Sequence, residues 1–277
     1  MNFLYEYGSR IWERMRFARV RNQRISETTI TENLIFDFWY QAKKVQLPVE
    51  IYEAKAEKQN GNDLEVFIET SKGYLLTAFQ AKILSKKGKY PNISHKVGDA
   101  YQIDLLIDYA KRKGGQACYL FYNYPVDPGY YEKLEETGKY QYREFGLTAC
   151  NAELVKLKFF KAVATGKTRV KIPAFESLHP LHAFPLSEMI RILTDESAME
   201  IFEELAEMVN LPIIYYSRED IDGTYGWNEM EPRGKISGIP MREFADIPKH
   251  DLQQGFNPKY RIILSKEPVA GGLYVLS

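Results

Sequence analysis

The chain has few of the residues that most often build disulfide frameworks and zinc sites. It contains two cysteines and four histidines among 277 residues. Cys118 and Cys150 do not form a CxxC spacing, and both lie in apolar or mixed runs. We therefore expect buried thiols in a reducing compartment, and the cysteine usage argues against structural zinc.

Neither sign of charge is in excess, since Lys plus Arg and Asp plus Glu each total 37. Any affinity for nucleic acid must therefore come from a local basic patch. No apolar run approaches membrane-spanning length, and residues 1–7 become polar too early for a signal peptide. We expect a cytoplasmic protein without a membrane partner. Internal repeats, a P-loop and a dinucleotide fingerprint are also missing from the sequence.

The first 25 residues predict a basic N-terminal helix. Residues 3–20 have an amphipathic pattern, and six arginines fall between Arg10 and Arg24. Two interpretations stay open for these arginines: a solvated helix face, or a strip that contacts phosphates.

Residues 26–124 have the pattern of an α/β core. Thr29 and Glu32 have the spacing of a capping box, and a helical period follows to about residue 44. Turn residues then favour an antiparallel meander. The elements expected after the first helix are strands at 49–54, 63–69 and 74–82, a helix at about 98–113 and a buried strand at 118–122.

Polar residues of two expected strands converge on one end of the sheet. Asp63 and Glu65 project to the same face of their strand, and so do Gln80 and Lys82, because side chains alternate along a strand. If the strands pair as a hairpin, two acids, an amide and an ammonium meet. Cutting a phosphodiester needs such a cluster, with carboxylates for a divalent cation and a cation near the attacked phosphate.

These residues resemble the core of the PD-(D/E)XK nuclease superfamily, in the Gln-x-Lys variant of its Mrr-like restriction endonuclease branch. Asp63 matches the first acid of the motif, although Asn62 precedes it where the motif has proline. Gln80 replaces the second acid, and Lys82 matches the motif lysine. The resemblance covers about residues 26–124 and implies a restriction-endonuclease-like mixed sheet flanked by helices. For residues 125–277 the sequence pattern itself indicates an α+β extension that completes the same domain or stands apart.

The resemblance also implies a ligand set and a cofactor. Asp63 and Gln80 would ligate Mg²⁺, for which Mn²⁺ would substitute, and Glu65 or a helix glutamate would restore negative charge. The helix glutamate is Glu27 or Glu32. Lys82 would steady the attacking water or the phosphate, and Gln102 would face the site.

The function implied is a Mg²⁺-dependent endonuclease that acts on DNA in restriction or phage defence. Such nucleases often dimerise, and a defence-system protein is a further partner class. Two alternatives stay open. One is an inactive nuclease fold that serves as a nucleic-acid-binding or scaffold subunit, and the other is an RNA-directed effector that needs a partner or second messenger.

Each site residue also has a purely structural interpretation. Asp63 suits a turn, and Glu65 suits a solvated hairpin face. Gln80 and Lys82 suit the polar end of an edge strand, where lysine discourages aggregation. Glu32 suits a capping box, and the amide of Gln102 suits a helix core.

Residues 125–277 carry fewer signals. His179 and His182 flank a proline and lack a third ligand, so we expect loop or core histidines. The remaining expectations are helices at 130–137, 186–193 and 196–209, strands at 154–159, 213–216, 260–264 and 273–276, and a surface excursion over 220–256.

Overall fold

The structure is a computed structural model that describes residues 2–45, 49–54, 63–125, 127, 129–135, 138–162, 168–208, 213–224, 230–232 and 258–265. The α-helices in these ranges are α1 (Asn2–Val20), α2 (Glu27–Val45), α3 (Gln102–Arg112), α4 (Gly129–Glu135), α5 (Ala152–Phe159), α6 (Leu186–Thr194), α7 (Glu196–Met208) and α8 (Arg218–Thr224). Short 3-10 helices span Pro91–Ser94, Tyr142–Gly146 and Phe175–Ser177.

The described strands are β1 (Val49–Ala54), β2 (Asp63–Thr70), β3 (Gly73–Ile83), β4 (Lys96–Val97), β5 (Ala100–Tyr101), β6 (Gln116–Tyr122), β7 (Leu147–Asn151), β8 (Phe160–Ala162), β9 (Thr168–Val170), β10 (Ala183–Pro185), β11 (Tyr215–Tyr216), β12 (Met230–Pro232) and β13 (Tyr260–Leu264). Eight of them form a sheet in the order β10-β7-β6-β3-β2-β13-β1-β12, and β11 pairs with the start of β3. The β3–β6 and β2–β13 pairs are parallel, and the remaining pairs of the sheet are antiparallel. The expected mixed sheet of an α/β protein is confirmed.

Helices cover both faces of this sheet. On one face, α2 and α6 bring Leu34, Phe38 and Ile190 against Leu64 and Phe79 of the sheet. Burial of each such side chain contributes about 1.5–3 kcal/mol. The other face packs against α3 and α5, and the polar residues of β2 and β3 lie on it.

The order of the strands corrects one expectation. β1 and β2 do not form a meander, because β13 lies between them, antiparallel to β1 and parallel to β2. The apolar residues of β13 are buried, so this strand needs a neighbour on each side. The expected turn at residues 58–61 lies outside the described residues, as do the strand at 273–276 and most of the excursion at 220–256. The β2–β3 hairpin is confirmed, with Thr70 paired to Gly73 across a two-residue turn.

Residues 154–159 form a helix, although their alternating pattern predicted a strand. The side chain of Asn151 accepts a hydrogen bond from the backbone N–H of Leu154 over 3.0 Å and so caps α5. Val155 and Phe159 are buried on one side of that helix. The cap and this four-residue spacing outweigh the local alternation.

Helix α1 packs closely against the rest of the core. Gly8 is required there, because a Cβ atom at this position would lie 2.6 Å from the carbonyl oxygen of Glu144. The fit brings the end of α1 to the end of β3, where Arg19 donates hydrogen bonds to the carbonyls of Leu84 (2.7 Å) and Ser85 (3.1 Å). Burial lowers the pKa of Arg19.

The thiols behave as the sequence predicts within the described structure. Cys118 and Cys150 are both free and buried. Burial raises the pKa of Cys118, and it raises that of Cys150 to about 12, so both thiols stay protonated at neutral pH. Among the described helices, none combines the length and apolarity needed to cross a membrane.

Candidate active site

The register of the β2–β3 hairpin brings the first motif residue opposite the second. Asp63 pairs directly with Gln80, and Lys82 lies two residues further along β3. Directly opposed residues share a face of the sheet, and so do residues two apart on one strand. The backbone therefore places these three positions on one face, at the end of β2. The structure describes the backbone of Asp63 but not its side chain.

Gln80 is a buried amide with an unsatisfied oxygen. Its side chain is 1% exposed, and its Oε1 has no hydrogen-bond partner in the described structure. Such a group costs about 1–3 kcal/mol in desolvation. The interpretation of Gln80 as part of an edge strand is wrong, because β3 lies between β2 and β6 in the middle of the sheet.

Lys82 is held against the first residue of α3. Its Nζ donates a hydrogen bond to Gln102 Oε1 over 3.1 Å, and only 4% of the residue is exposed. Gln102 therefore faces the same region as Gln80 and Lys82, as the resemblance implies. We call Gln80, Lys82, Gln102 and the backbone of Asp63 the Gln80–Lys82 site.

Glu65 is buried in a polar contact of its own. Its Oε2 accepts a hydrogen bond from the hydroxyl of Tyr109 over 2.5 Å, and its Oε1 accepts one from Arg261 Nε. Only 1% of Glu65 is exposed, so the solvated interpretation is wrong. Because both oxygens are engaged, this carboxylate does not supply spare negative charge to the Gln80–Lys82 site.

Glu27 lies beside the end of β3. Its Oε1 accepts hydrogen bonds from the backbone N–H of Ile83 (3.0 Å) and from Asn92 Nδ2 (3.3 Å). No described residue of β2 pairs with β3 beyond Gln80, so Glu27 satisfies a backbone donor that the shorter strand leaves open. Ile83, the backbone partner of this carboxylate, is the residue next to Lys82 in the chain.

Glu32 lies on the surface and takes part in an ion pair. Its Oε1 accepts a hydrogen bond from Lys259 Nζ over 3.0 Å. It is not a capping-box partner of Thr29 either, because the helix begins earlier, at Glu27. Ser26 Oγ accepts the backbone N–H of Thr29 and caps α2.

The two histidines of the 179–182 segment do not share a site. His179 is 5% exposed, its Nδ1 lies 3.0 Å from the carbonyl oxygen of Phe175, and its Nε2 lies 2.9 Å from Thr148 Oγ. Burial lowers the pKa of His179 to about 3, so its ring stays neutral. His182 lies on the surface next to Lys158.

Sequence reasoning missed two residues near the site. Tyr109 follows Gln102 by two helical turns, so both side chains of α3 reach the sheet. Arg261 comes from a strand almost 200 residues after β2. The one signal for it was a charged residue inside the apolar run Tyr-Arg-Ile-Ile-Leu, which indicates a buried ion pair.

The oxygen atoms that the Gln80–Lys82 site offers would satisfy part of the coordination of a hard divalent cation. An amide oxygen is a ligand that Mg²⁺ accepts, and Gln80 Oε1 is buried and has no other partner among the described side chains and backbone. A carboxylate would be needed beside it, and Asp63 occupies the opposing position. The described residues contain no group of three or more His, Cys, Asp or Glu side chains that could hold a metal ion.

Comparisons with known proteins identify the family but no activity. No curated protein and no solved structure matches the chain. One family model matches residues 1–266, which is most of the chain. The chain therefore belongs to DUF6615, a family of unknown function.

Proposed function

We propose that this protein is a metal-dependent nuclease of the PD-(D/E)XK superfamily, in its Mrr-like branch, and that it hydrolyses phosphodiester bonds of DNA. The observation that carries the proposal is the buried Oε1 of Gln80, which no described donor satisfies, with Asp63 opposite it and Lys82 on the same face. A fold does not retain an unsatisfied buried carbonyl without cost, so a ligand for that oxygen is the economical explanation.

The proposed roles follow from the chemistry of each group. Asp63 and Gln80 would hold the Mg²⁺ ion, which when bound lowers the pKa of a water molecule and stabilises charge on the phosphate. Lys82 provides a fixed positive charge for a phosphate oxygen or for the attacking hydroxide. Gln102 positions that ammonium through its hydrogen bond, and Glu27 fixes the end of β3.

The biological setting is part of the same proposal. Relatives in the Mrr-like branch are often found in restriction and phage defence, so we propose a cytoplasmic role of that kind. Cleavage of both DNA strands would be served by a homodimer. A defence-system protein is the further partner that we propose.

Cleavage of DNA under defined metal conditions tests the proposal. Purified protein is incubated with supercoiled plasmid and with linear DNA in Mg²⁺, in Mn²⁺ or in EDTA. We expect cleavage with either metal, none in EDTA, and a loss of about 100-fold or more in Asp63→Ala and Lys82→Ala. Lys44→Ala, an exposed charge at the far end of α2, is the matched control and should cut normally.

One observation favours a second candidate function. Glu65 is fully engaged by Tyr109 and Arg261, so the described site has fewer acids than a two-metal nuclease uses. A nucleic-acid-binding or scaffold subunit would need no such acids. Binding of DNA without cleavage in any metal would support this function, and degradation of RNA with DNA left intact would support an RNA-directed effector.

A further inference from the structure

Eight exposed basic side chains lie on three segments that adjoin the end of β3. We call these eight side chains the basic rim. They come from the α1–α2 connection, from the loop after β3, and from the β8–β9 hairpin with the segment after it. The members of the basic rim are Arg21, Arg24, Lys86, Lys87, Lys89, Lys161, Arg169 and Lys171.

Direct contacts join the three segments. Lys86 Nζ bonds Asn22 Oδ1 and so links the loop after β3 to the α1–α2 connection. Lys89 forms a β-bridge with Ala174, and the backbone N–H of Tyr90 donates to the carbonyl of Pro173 over 3.1 Å. The three segments of the basic rim are therefore neighbours in the fold, although its residues are up to 150 positions apart.

The side chains of the basic rim share a lack of described ion-pair partners. None of its eight side chains forms an ion pair with a described carboxylate, whereas many basic residues elsewhere do. Pairs outside the rim include Arg10–Glu6, Arg14–Asp37, Arg16–Glu13, Lys72–Glu203, Lys111–Glu153, Lys139–Glu188 and Arg218–Glu50. Among the described residues, two carboxylates lie on the rim's segments or directly follow one of them in the sequence. They are Glu27, which bonds Ile83, and Glu176, which lies near Tyr130.

Two like charges face each other on the β8–β9 hairpin. Lys161 and Arg169 are directly opposed across its two strands, and both are exposed. Like charges in this relation destabilise a strand pair, and an anion between them removes the repulsion. A polyanionic ligand is the simplest explanation for keeping two cations at this pair of positions.

The same hairpin lies next to the Gln80–Lys82 site. Tyr101 packs edge-on against Phe160 of β8, with ring centroids 5.2 Å apart, and its hydroxyl donates to the carbonyl of Thr168. Gln102, which binds Lys82, is the next residue of the chain. A phosphate backbone on the hairpin would therefore run close to the site.

We infer that the basic rim binds the phosphate backbone of duplex DNA and that the Lys161–Arg169 pair is its principal contact. This inference rests on the proposed function for the choice of DNA. The protein has no net charge, so the local rim must supply the attraction to phosphate. Because the contacts are to the backbone, binding should be strongly dependent on salt and largely independent of sequence.

Binding measured in EDTA tests the inference without cleavage. A fluorescent 30-base-pair DNA duplex is titrated with the full chain at several salt concentrations, and an RNA duplex of the same sequence is titrated in parallel. The test variant is Lys161→Gln/Arg169→Gln. The matched control is Lys44→Gln/Arg112→Gln, which removes two exposed charges from the C-terminal ends of α2 and α3.

We expect the test variant to bind DNA about tenfold more weakly at 100 mM salt, with its logarithmic salt slope smaller by about 1.8, or 0.9 for each lost phosphate contact. The control should stay within about twofold of the wild type. An unchanged slope in the test variant, an equal loss in the control, or binding confined to RNA would overturn the inference. If wild-type protein binds as expected but never cuts DNA in any metal, the proposed nuclease function fails and the basic rim stands.

Discussion

Lys82 on the middle strand of the sheet donates a hydrogen bond to Gln102, the first residue of α3, over 3.1 Å. The bond joins two elements that are separate in sequence and fixes the direction of a buried ammonium group. Because Gln80 lies two residues earlier on β3, the orientation of Lys82 relative to Gln80 is fixed by the same strand. The proposed chemistry depends on this arrangement.

Replacing Gln102 tests whether its amide positions the ammonium. Gln102→Leu removes the acceptor and keeps much of the side-chain volume. We expect the rate of DNA cleavage to fall by about 10- to 100-fold while KM changes little. A mispositioned ammonium group stabilises the transition state less, whereas it affects binding of the substrate little. Asp108→Asn, on the exposed side of the same helix, is the control. Wild-type rates in Gln102→Leu would show that the amide has only a structural role.

Replacing Gln80 separates function from stability. Gln80→Leu removes a buried carbonyl that has no hydrogen-bond partner among the described residues, so the melting temperature without metal should stay the same or rise. The stabilisation that Mg²⁺ gives to wild-type protein, about 2.7 kcal/mol at 100 times the dissociation constant, should disappear in this variant.

Gln116→Leu provides a close control for that experiment. Its Nε2 is also buried with no partner in the part of the chain that the structure describes, but it lies at the start of β6, away from Lys82. We expect this variant to keep the Mg²⁺-dependent rise in melting temperature. Equal metal stabilisation in the Gln80 and Gln116 variants would remove Gln80 from the ligand set.

The Glu65–Arg261 pair is expected to maintain the fold. Both residues are nearly inaccessible to solvent, so Arg261→Met leaves a buried carboxylate unpaired and should cost about 3–5 kcal/mol in the free energy of unfolding by urea. Glu65→Leu/Arg261→Met should recover most of that loss. Breaking the exposed Lys111–Glu153 pair by Glu153→Gln should cost less than about 1 kcal/mol. A double variant as unstable as Arg261→Met would contradict this account.

His179 should make stability depend on pH. Its folded-state pKa of about 3 is below the unfolded value of about 6.5, so between these values the unfolded chain binds a proton that the folded chain does not. The contribution of neutral His179 to the free energy of unfolding is complete above about pH 6.5. It falls by about 1.4 kcal/mol for each pH unit below that value.

Urea unfolding at pH 7 and pH 5 measures this loss. His179→Gln should be less sensitive to pH than wild-type protein over that interval, whereas His95→Gln, which removes an exposed histidine, should behave like wild type. Equal pH dependence in wild type and His179→Gln would show that His179 is not buried as a neutral ring.

The parts of the fold that depend on local signals could be predicted from the sequence. The turn at residues 71–73 and the alternation on either side gave the β2–β3 hairpin and its face. The position of β13 between β1 and β2 could not be predicted, because pairing between residues almost 200 apart leaves no local pattern. Residues 154–159 alternate as a strand does, and only the Asn151 cap and burial reveal the helix.

In the candidate site, too, the features set by local sequence patterns could be predicted, and those set by contacts between distant residues could not. The common side of Gln80 and Lys82 followed from strand periodicity, and the expected hairpin brought Asp63 to the same end of the sheet; the structure adds the direct pairing of Asp63 with Gln80. The engagement of Glu65 by Arg261 depends on β13, so no local pattern could remove Glu65 from the ligand candidates. The ion pair of Glu32 with Lys259 is equally non-local.

The most direct measurement is a crystal structure with manganese soaked into the protein. If Gln80 Oε1 and Asp63 share a cation, an anomalous peak will lie about 2.1 Å from both the amide oxygen and a carboxylate oxygen of Asp63. A manganese-saturated crystal with no peak there, or with Gln80 Oε1 hydrogen-bonded to a neighbouring side chain, would contradict the account.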